Sequence, residues 1–419
     1  MPSTASKSKD SFKKSTSKDV RPVSAPCPPR HDTQMILKPT NPVFLYLHNL
    51  LLPYIMSQFT NQFIRSFQLL FQIDVDNNKI KNTLIANFWH KYFVISSQLG
   101  EDIFYFIPLL FWYADPKITM SFMTNFVVIL VFGQIFKDFF CLPRPPAVYK
   151  DDKVVIKIAK LEVGHSTEPG FPSTHSMSSL LPLAVVLFIN REFKECIVTH
   201  HFILTGFYSI SVIFSRLYLG VHSLVDIVGG LFIGIVLLIT LYFYGDNFNE
   251  IMYKSPNGCY YITFLVILFL TLYPRARPWT SSYSTSSIVF GTWMGSALSL
   301  WYCKNYYTIT IDNMIKASVD SYNYSYSNCI TLFYRGSIGG VIFILVYIIS
   351  RYIALAILLK LYDTKLIVPN ENELFDVFGE VVPSKKAYYV DIPKNLIVYG
   401  CLGAVCVFTP VAWKYLDLI

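Results

Sequence analysis

The chain predicts an all-α fold, a polytopic helical membrane protein with about nine to ten transmembrane helices. Three observations carry this expectation. Of its 419 residues, 53% are hydrophobic and only 15% charged, against about 25% charged in soluble domains. Mean hydropathy is +0.42. Apolar runs with few or no charges also recur along the chain. Hydrocarbon about 30 Å thick takes about 20 helical residues, and loops or open sheet edges cannot face lipid because their backbone groups would go unsatisfied.

The runs expected to span are 93–113, 118–136, 177–189, 198–214, 224–244, 259–273, 286–302, 338–359 and 395–413. The first is interrupted by Glu101 and Asp102, and 177–189 is short. Region 41–92 holds a further apolar stretch, 43–72, which reads either as one more span or as an interfacial amphipathic pair. Residues 1–40 carry eight Lys/Arg against three acids and are rich in Ser and Pro. Such a tail has too few apolar residues to fold and suits an anionic membrane surface. Its basic residues lack aromatic interleaving, so no nucleic-acid partner is expected. The eight cysteines are scattered without CxxC spacing and read as small hydrophobic residues rather than as a zinc site.

Three polar clusters stand apart. In "KDFFCLPRPP", Lys137 ends the run 118–136 and Arg144 is wedged between Pro143 and Pro145. Proline ends helices and biases the residue before it toward extended geometry, so Arg144 is held in a stiff turn near the membrane surface. The plain alternative is a snorkelling basic residue at a span end. In "EPGFPSTHSM", Ser173 or Thr174 is a good N-cap for a helix beginning near Ser176. His175 then lies in a first turn that attracts anions, unless it is incidental to a capped helix. In "SRLYLGVHSLVD", Asp226 follows His222 by four residues, so on a helix its carboxylate leans back onto the imidazole. That would fix the tautomer and leave the other nitrogen nucleophilic. Arg216 offers a guanidinium fork six residues earlier. A buried ion pair is the competing reading, but ionisable groups at membrane depth are costly and usually functional.

The first two clusters share one inter-span loop and the third occupies another, with two spans between them. Parity therefore puts all three on one membrane face, where three cations, two helix N-termini and two histidines describe a phosphate pocket.

Together these stretches resemble the Kx6RP, PSxH and SRx5Hx3D signature of the type 2 phosphatidate phosphatase superfamily, with Thr174 where the family usually has glycine. The frame around them, with its polar N-terminal tail, lysine-bearing loop and several later spans, is similar to the sphingosine-1-phosphate phosphatase branch. Pro169 stands where that branch often has tyrosine. The resemblance implies a helical catalytic core at 93–245, followed by C-terminal transmembrane helices at 246–419. It implies that Lys137, Arg144 and Arg216 bind phosphate, with Ser173 and the backbone amides around Thr174 adding hydrogen bonds. It also implies His222 as nucleophile, Asp226 as its orienting partner, and His175 as general acid and then base. No metal and no cofactor are implied. The implied reaction is hydrolysis of a lipid phosphate, with sphingoid base phosphates preferred over phosphatidate or isoprenoid (di)phosphates. The implied site is the endoplasmic reticulum membrane with a luminal pocket, which requires 43–72 to contribute one span.

His200 and His201 are expected to be structural or interfacial, and His165 is a weaker candidate for substrate contact. A sequon, "NYS" at Asn323, falls by parity on the face opposite the pocket and is expected to carry no glycan. An anion transporter is the reading from another class. The later spans give it little, since Arg351 is the one charge inside 338–359 and no paired broken helices are evident.

Overall fold

The computed structural model describes residues 39, 41–55, 57–101, 108, 112, 116–145, 148–150, 153–162, 168–192, 199–274, 281–306, 326–361 and 390–415. The basic tail (apart from Pro39), His165 and Asn323 lie outside the described residues. What is described is almost entirely helical, with two short two-stranded hairpins.

The stretch 43–72 forms two helices, α1 (Pro42–Ile55) and α2 (Gln58–Leu70), separated at the Ser57 N-cap. Fourteen helical residues reach about 21 Å, short of the hydrocarbon thickness. A hairpin of β1 (Ile73–Asp74) and β2 (Lys79–Ile80) follows. Helix α3 (Leu84–Glu101) begins nine residues ahead of the expected run, because the Thr83 hydroxyl accepts from the amide of Ala86 and starts the helix there.

Helix α4 (Pro116–Phe140) opens on proline, which suits a first helical position. After the hairpin of β3 (Val148–Lys150) and β4 (Lys153–Ile156) come α5 (Thr174–Ser178) and α6 (Leu181–Glu192). The expected run 177–189 is thus two helices broken at Ser179–Leu180. Then follow α7 (Thr199–Tyr218) and α8 (Leu224–Asn249), the latter continuing as a π-helical turn to Lys254. The C-terminal part adds α9 (Gly258–Leu272), α10 (Ser282–Tyr306), α11 (Tyr326–Leu361) and α12 (Ile392–Tyr415).

Among the described residues, four segments are long and apolar enough to cross a membrane: Ile118–Phe140, Leu224–Lys254, Phe333–Leu361 and Ile392–Pro410. Helices α7 and α10 have the length, at 20 and 25 residues, but carry histidine, serine and threonine. The chain is a multi-pass membrane protein, and its helix faces say so. On α8, Val228, Phe232, Ile235 and Ile239 are all about half or more exposed, while Gly230 and Gly234 are buried. A wide apolar face without a protein partner is what lipid covers. The largest buried cluster joins α4, α10 and α12 through Phe126, Ile129, Trp293, Ala297, Cys406 and Trp413.

Candidate active site

The three sequence clusters meet at one end of the bundle. Helix α4 delivers Lys137 in its last turn. Cys141 then takes a left-handed conformation, φ 51°, with its amide on the carbonyl of Lys137, and this closes the helix end. Burial, and then the nearby Asp138 carboxylate, push the Cys141 thiol up to about 12. The reversed chain carries Arg144 back over the site.

Ser173 is the N-cap of α5. Its hydroxyl accepts from the amide of Ser176, and the helix begins at Thr174 rather than near Ser176. The Ser173 amide in turn donates to the carbonyl of Asp226 over 3.0 Å, so the second and third clusters are bonded to each other. Helix α8 can pass this close because residue 230 is glycine: a Cβ there would lie 2.5 Å from the Ser173 carbonyl oxygen.

All eight predicted residues are buried. Lys137, Arg144, Ser173, Thr174, His175, Arg216, His222 and Asp226 are each 6% exposed or less. The rings of His175 and His222 have centroids 6.3 Å apart and are tilted by 54°. Arg144 donates from Nη1 to the carbonyl of Val221 at 3.1 Å, and the same nitrogen stands 3.5 Å from His222 Nε2. A guanidinium only donates, so Nε2 presents its lone pair and the ring proton sits on Nδ1. Burial holds the His222 imidazole well below its usual pKa, with Arg144 and Arg216 adding to the effect. His222 is therefore a neutral ring with its free nitrogen toward the cations.

Asp226 reaches His222 by another route than the helical spacing suggests. Residue 222 precedes the N-cap Ser223 and is not in α8 at all. Asp226 Oδ2 accepts from the Ser223 amide at 2.6 Å, and the Ser223 hydroxyl accepts from the Asp226 amide at 3.1 Å, forming a capping box. His222 Nδ1 stands 3.7 Å from that same carboxylate oxygen, beyond hydrogen-bond length.

The cations are not arranged around an open cleft. Lys137 Nζ lies 3.0 Å from Glu168 Oε2, Arg144 Nη2 lies 3.9 Å from the same oxygen, and Arg144 Nε donates to the Glu168 carbonyl. Arg216 Nη1 is 3.1 Å from Glu162 Oε2 and also bonds Ser97 of α3. The Ser281 hydroxyl, just ahead of α10, donates to Glu168 Oε1.

None of Ser97, Glu162 and Ser281 is legible as a site residue from the sequence. Glu168 does lie in the quoted "EPGFPSTHSM", where its place beside the PSTH turn was the available signal. A further contributor comes from α2. The fully buried Gln68 amide donates to the carbonyls of Ala159 and Tyr218 and accepts from the amide of Ala159. It thereby ties the loop before Glu162 to the end of α7. Gly220, φ 71°, lets the chain turn there, since a Cβ would strike the Ala159 carbonyl at 2.1 Å.

Residues outside the cluster stay outside. His200 and His201 lie in the first turn of α7, about 24 Å along the helix from Arg216. Arg351 is exposed on α11 and donates to the Tyr347 hydroxyl.

One end of this helical membrane bundle buries a lysine, two arginines and two facing histidines, and residues 118–250 of the chain match the model of the PAP2 superfamily. Among characterised proteins it is similar to sphingosine-1-phosphate phosphatase 1 of Rattus norvegicus, 26% identical over 322 residues covering 74% of this chain and 68% of the relative. It is likewise similar to the probable sphingosine-1-phosphate phosphatase of Dictyostelium discoideum, 27% identical over 78% of this chain and 83% of the relative. A dihydrosphingosine 1-phosphate phosphatase of Schizosaccharomyces pombe is 26% identical over 50% of this chain and 53% of the relative. No solved structure matches the chain.

Proposed function

We propose that the protein dephosphorylates long-chain sphingoid base phosphates, such as sphingosine 1-phosphate, through a phosphohistidine formed on His222. The observation that carries this reading is the pairing of a neutral His222, its Nε2 beside Arg144, with the His175 ring 6.3 Å away. Nucleophile and proton donor are then close enough to act on one phosphoryl group once it displaces the carboxylates now on the cations.

In the first step His222 Nε2 attacks phosphorus. The bond from phosphorus to the lipid oxygen breaks, and His175 gives its proton to the departing alkoxide. In the second step water attacks the phosphohistidine, His175 takes the water's proton, and the phosphorus–nitrogen bond breaks to release phosphate. Lys137, Arg144 and Arg216, with Ser173 and the amides near Thr174, stabilise charge on the equatorial oxygens. Loss of one such preorganised donor costs about 3–4 kcal/mol of barrier. Asp226 positions His222 by capping the short turn that follows it. The names of the relatives support the sphingoid substrate. We place the protein in the endoplasmic reticulum membrane, and the sequon at Asn323 tests which side the pocket faces.

The test uses the full chain purified in detergent. It should release phosphate from sphingosine 1-phosphate with EDTA present and be blocked by vanadate, and His222→Ala should abolish release with expression unchanged. Faster turnover of phosphatidate or an isoprenoid diphosphate would move the substrate assignment to that class.

A further inference from the structure

We infer that Glu168 is a specificity-determining residue that reads the substrate's amine, an inference resting on the sphingoid reading above. The Glu168 carboxylate occupies the place a phosphate must take. It is 7% exposed and reaches two of the three phosphate cations, Lys137 at 3.0 Å and Arg144 at 3.9 Å. Ser281 holds its other oxygen from outside the family domain.

A substrate phosphate can bind Lys137 and Arg144 only by displacing this carboxylate. Arg144 stays tied to the Glu168 backbone, because its Nε donates to the Glu168 carbonyl. The displaced carboxylate therefore stays beside the bound phosphate. Two like charges this close, away from water, repel strongly. A sphingoid base phosphate carries an ammonium on the carbon next to the one bearing the phosphate ester. That ammonium lies where the displaced carboxylate goes, and it gives Glu168 a partner in place of Lys137. Phosphatidate offers no such charge at that position, so it leaves the carboxylate unpaired. Selection against the wrong substrate by an uncompensated buried charge is an effective device.

The experiment compares kcat/KM for sphingosine 1-phosphate with that for the same molecule acetylated on nitrogen. The wild-type enzyme should prefer the free amine by tenfold or more, a difference of ~1.4 kcal/mol. Glu168→Gln should collapse that preference toward unity and tighten competitive inhibition by inorganic phosphate, whereas Glu168→Asp should keep the preference at a lower rate. Equal loss on both substrates in Glu168→Gln, or no wild-type preference between them, would overturn the inference and leave Glu168 a clamp on the cations. If Glu168→Gln does not fold, the wild-type pair and Glu168→Asp still decide. Failure of the wild-type enzyme to hydrolyse sphingosine 1-phosphate at all, with phosphatidate turned over, is a separate result that removes the sphingoid reading itself.

Discussion

The backbone amide of Ser173 donates to the carbonyl of Asp226, 53 positions further along the chain, over 3.0 Å. This bond fastens the turn carrying His175 to the turn carrying His222, and the 6.3 Å between the two rings depends on it. Gly230→Ala should disturb this junction from within α8, because the new methyl would lie 2.5 Å from the Ser173 carbonyl oxygen. Misplacement of catalytic groups by about 1 Å can cost about a hundredfold. The expected outcome is a fall in kcat of that order with membrane insertion and expression intact. Unchanged kcat would show that the junction does not set the ring spacing.

Gln68 should prove a stability residue rather than a chemical one. Its amide makes three hydrogen bonds to the backbone of Ala159 and Tyr218, at 2.7, 3.0 and 2.9 Å. Leaving a buried group without its partner costs about 1–3 kcal/mol. Gln68→Ala is expected to lower the Tm in detergent by several degrees, while kcat and KM for the lipid phosphate stay near wild type below the unfolding transition. Thermal unfolding followed by tryptophan fluorescence reads the shift.

His222 predicts a direction for stability against pH. Its folded pKa is held well below 6.5 by burial and by the neighbouring arginines. Below about pH 6.5 the unfolded chain protonates this ring and the folded protein does not. The unfolded state then binds more protons, so stability falls as pH drops, by at most about 1.4 kcal/mol per pH unit from this group. The contribution is fully present above pH 6.5. Unfolding of wild type and His222→Gln between pH 8 and pH 5 should diverge below 6.5, with the wild type losing stability more steeply. Parallel curves would mean that the ring is already charged in the folded protein.

The sequon at Asn323 tests sidedness. The Ser281–Glu168 contact puts the start of α10 at the pocket end, and 25 helical residues carry Tyr306 about 37 Å from it. With a luminal pocket Asn323 should migrate without a glycan before and after glycosidase treatment. A glycan there would put the pocket on the cytosolic side.

How much of this was readable beforehand follows from range in sequence. The motif residues are local patterns, so spacing and parity sufficed to put His175, His222 and the three cations on one face. The helical class followed from composition, and the run 118–136 was legible because charge ends it at Lys137. The break at Ser179–Leu180 and the early start at Thr83 were not, since hydropathy is blind to a hydroxyl cap. The i, i+4 argument for His222 and Asp226 found a true neighbour through a wrong geometry, because helix α8 begins only at Leu224. Glu162, Ser97, Gln68 and Ser281 reach the site only across long loops of chain. Nothing in their local sequence distinguishes them from surface polar residues.

The most direct measurement is to quench the enzyme with labelled sphingosine 1-phosphate during turnover, under alkaline conditions that preserve phosphohistidine, and map the label by mass spectrometry. Label should lie on the peptide containing His222 and vanish in His222→Ala. Phosphate release by His222→Ala at the wild-type rate, or label carried by His175, would contradict the assignment of His222 as the atom donor to phosphorus.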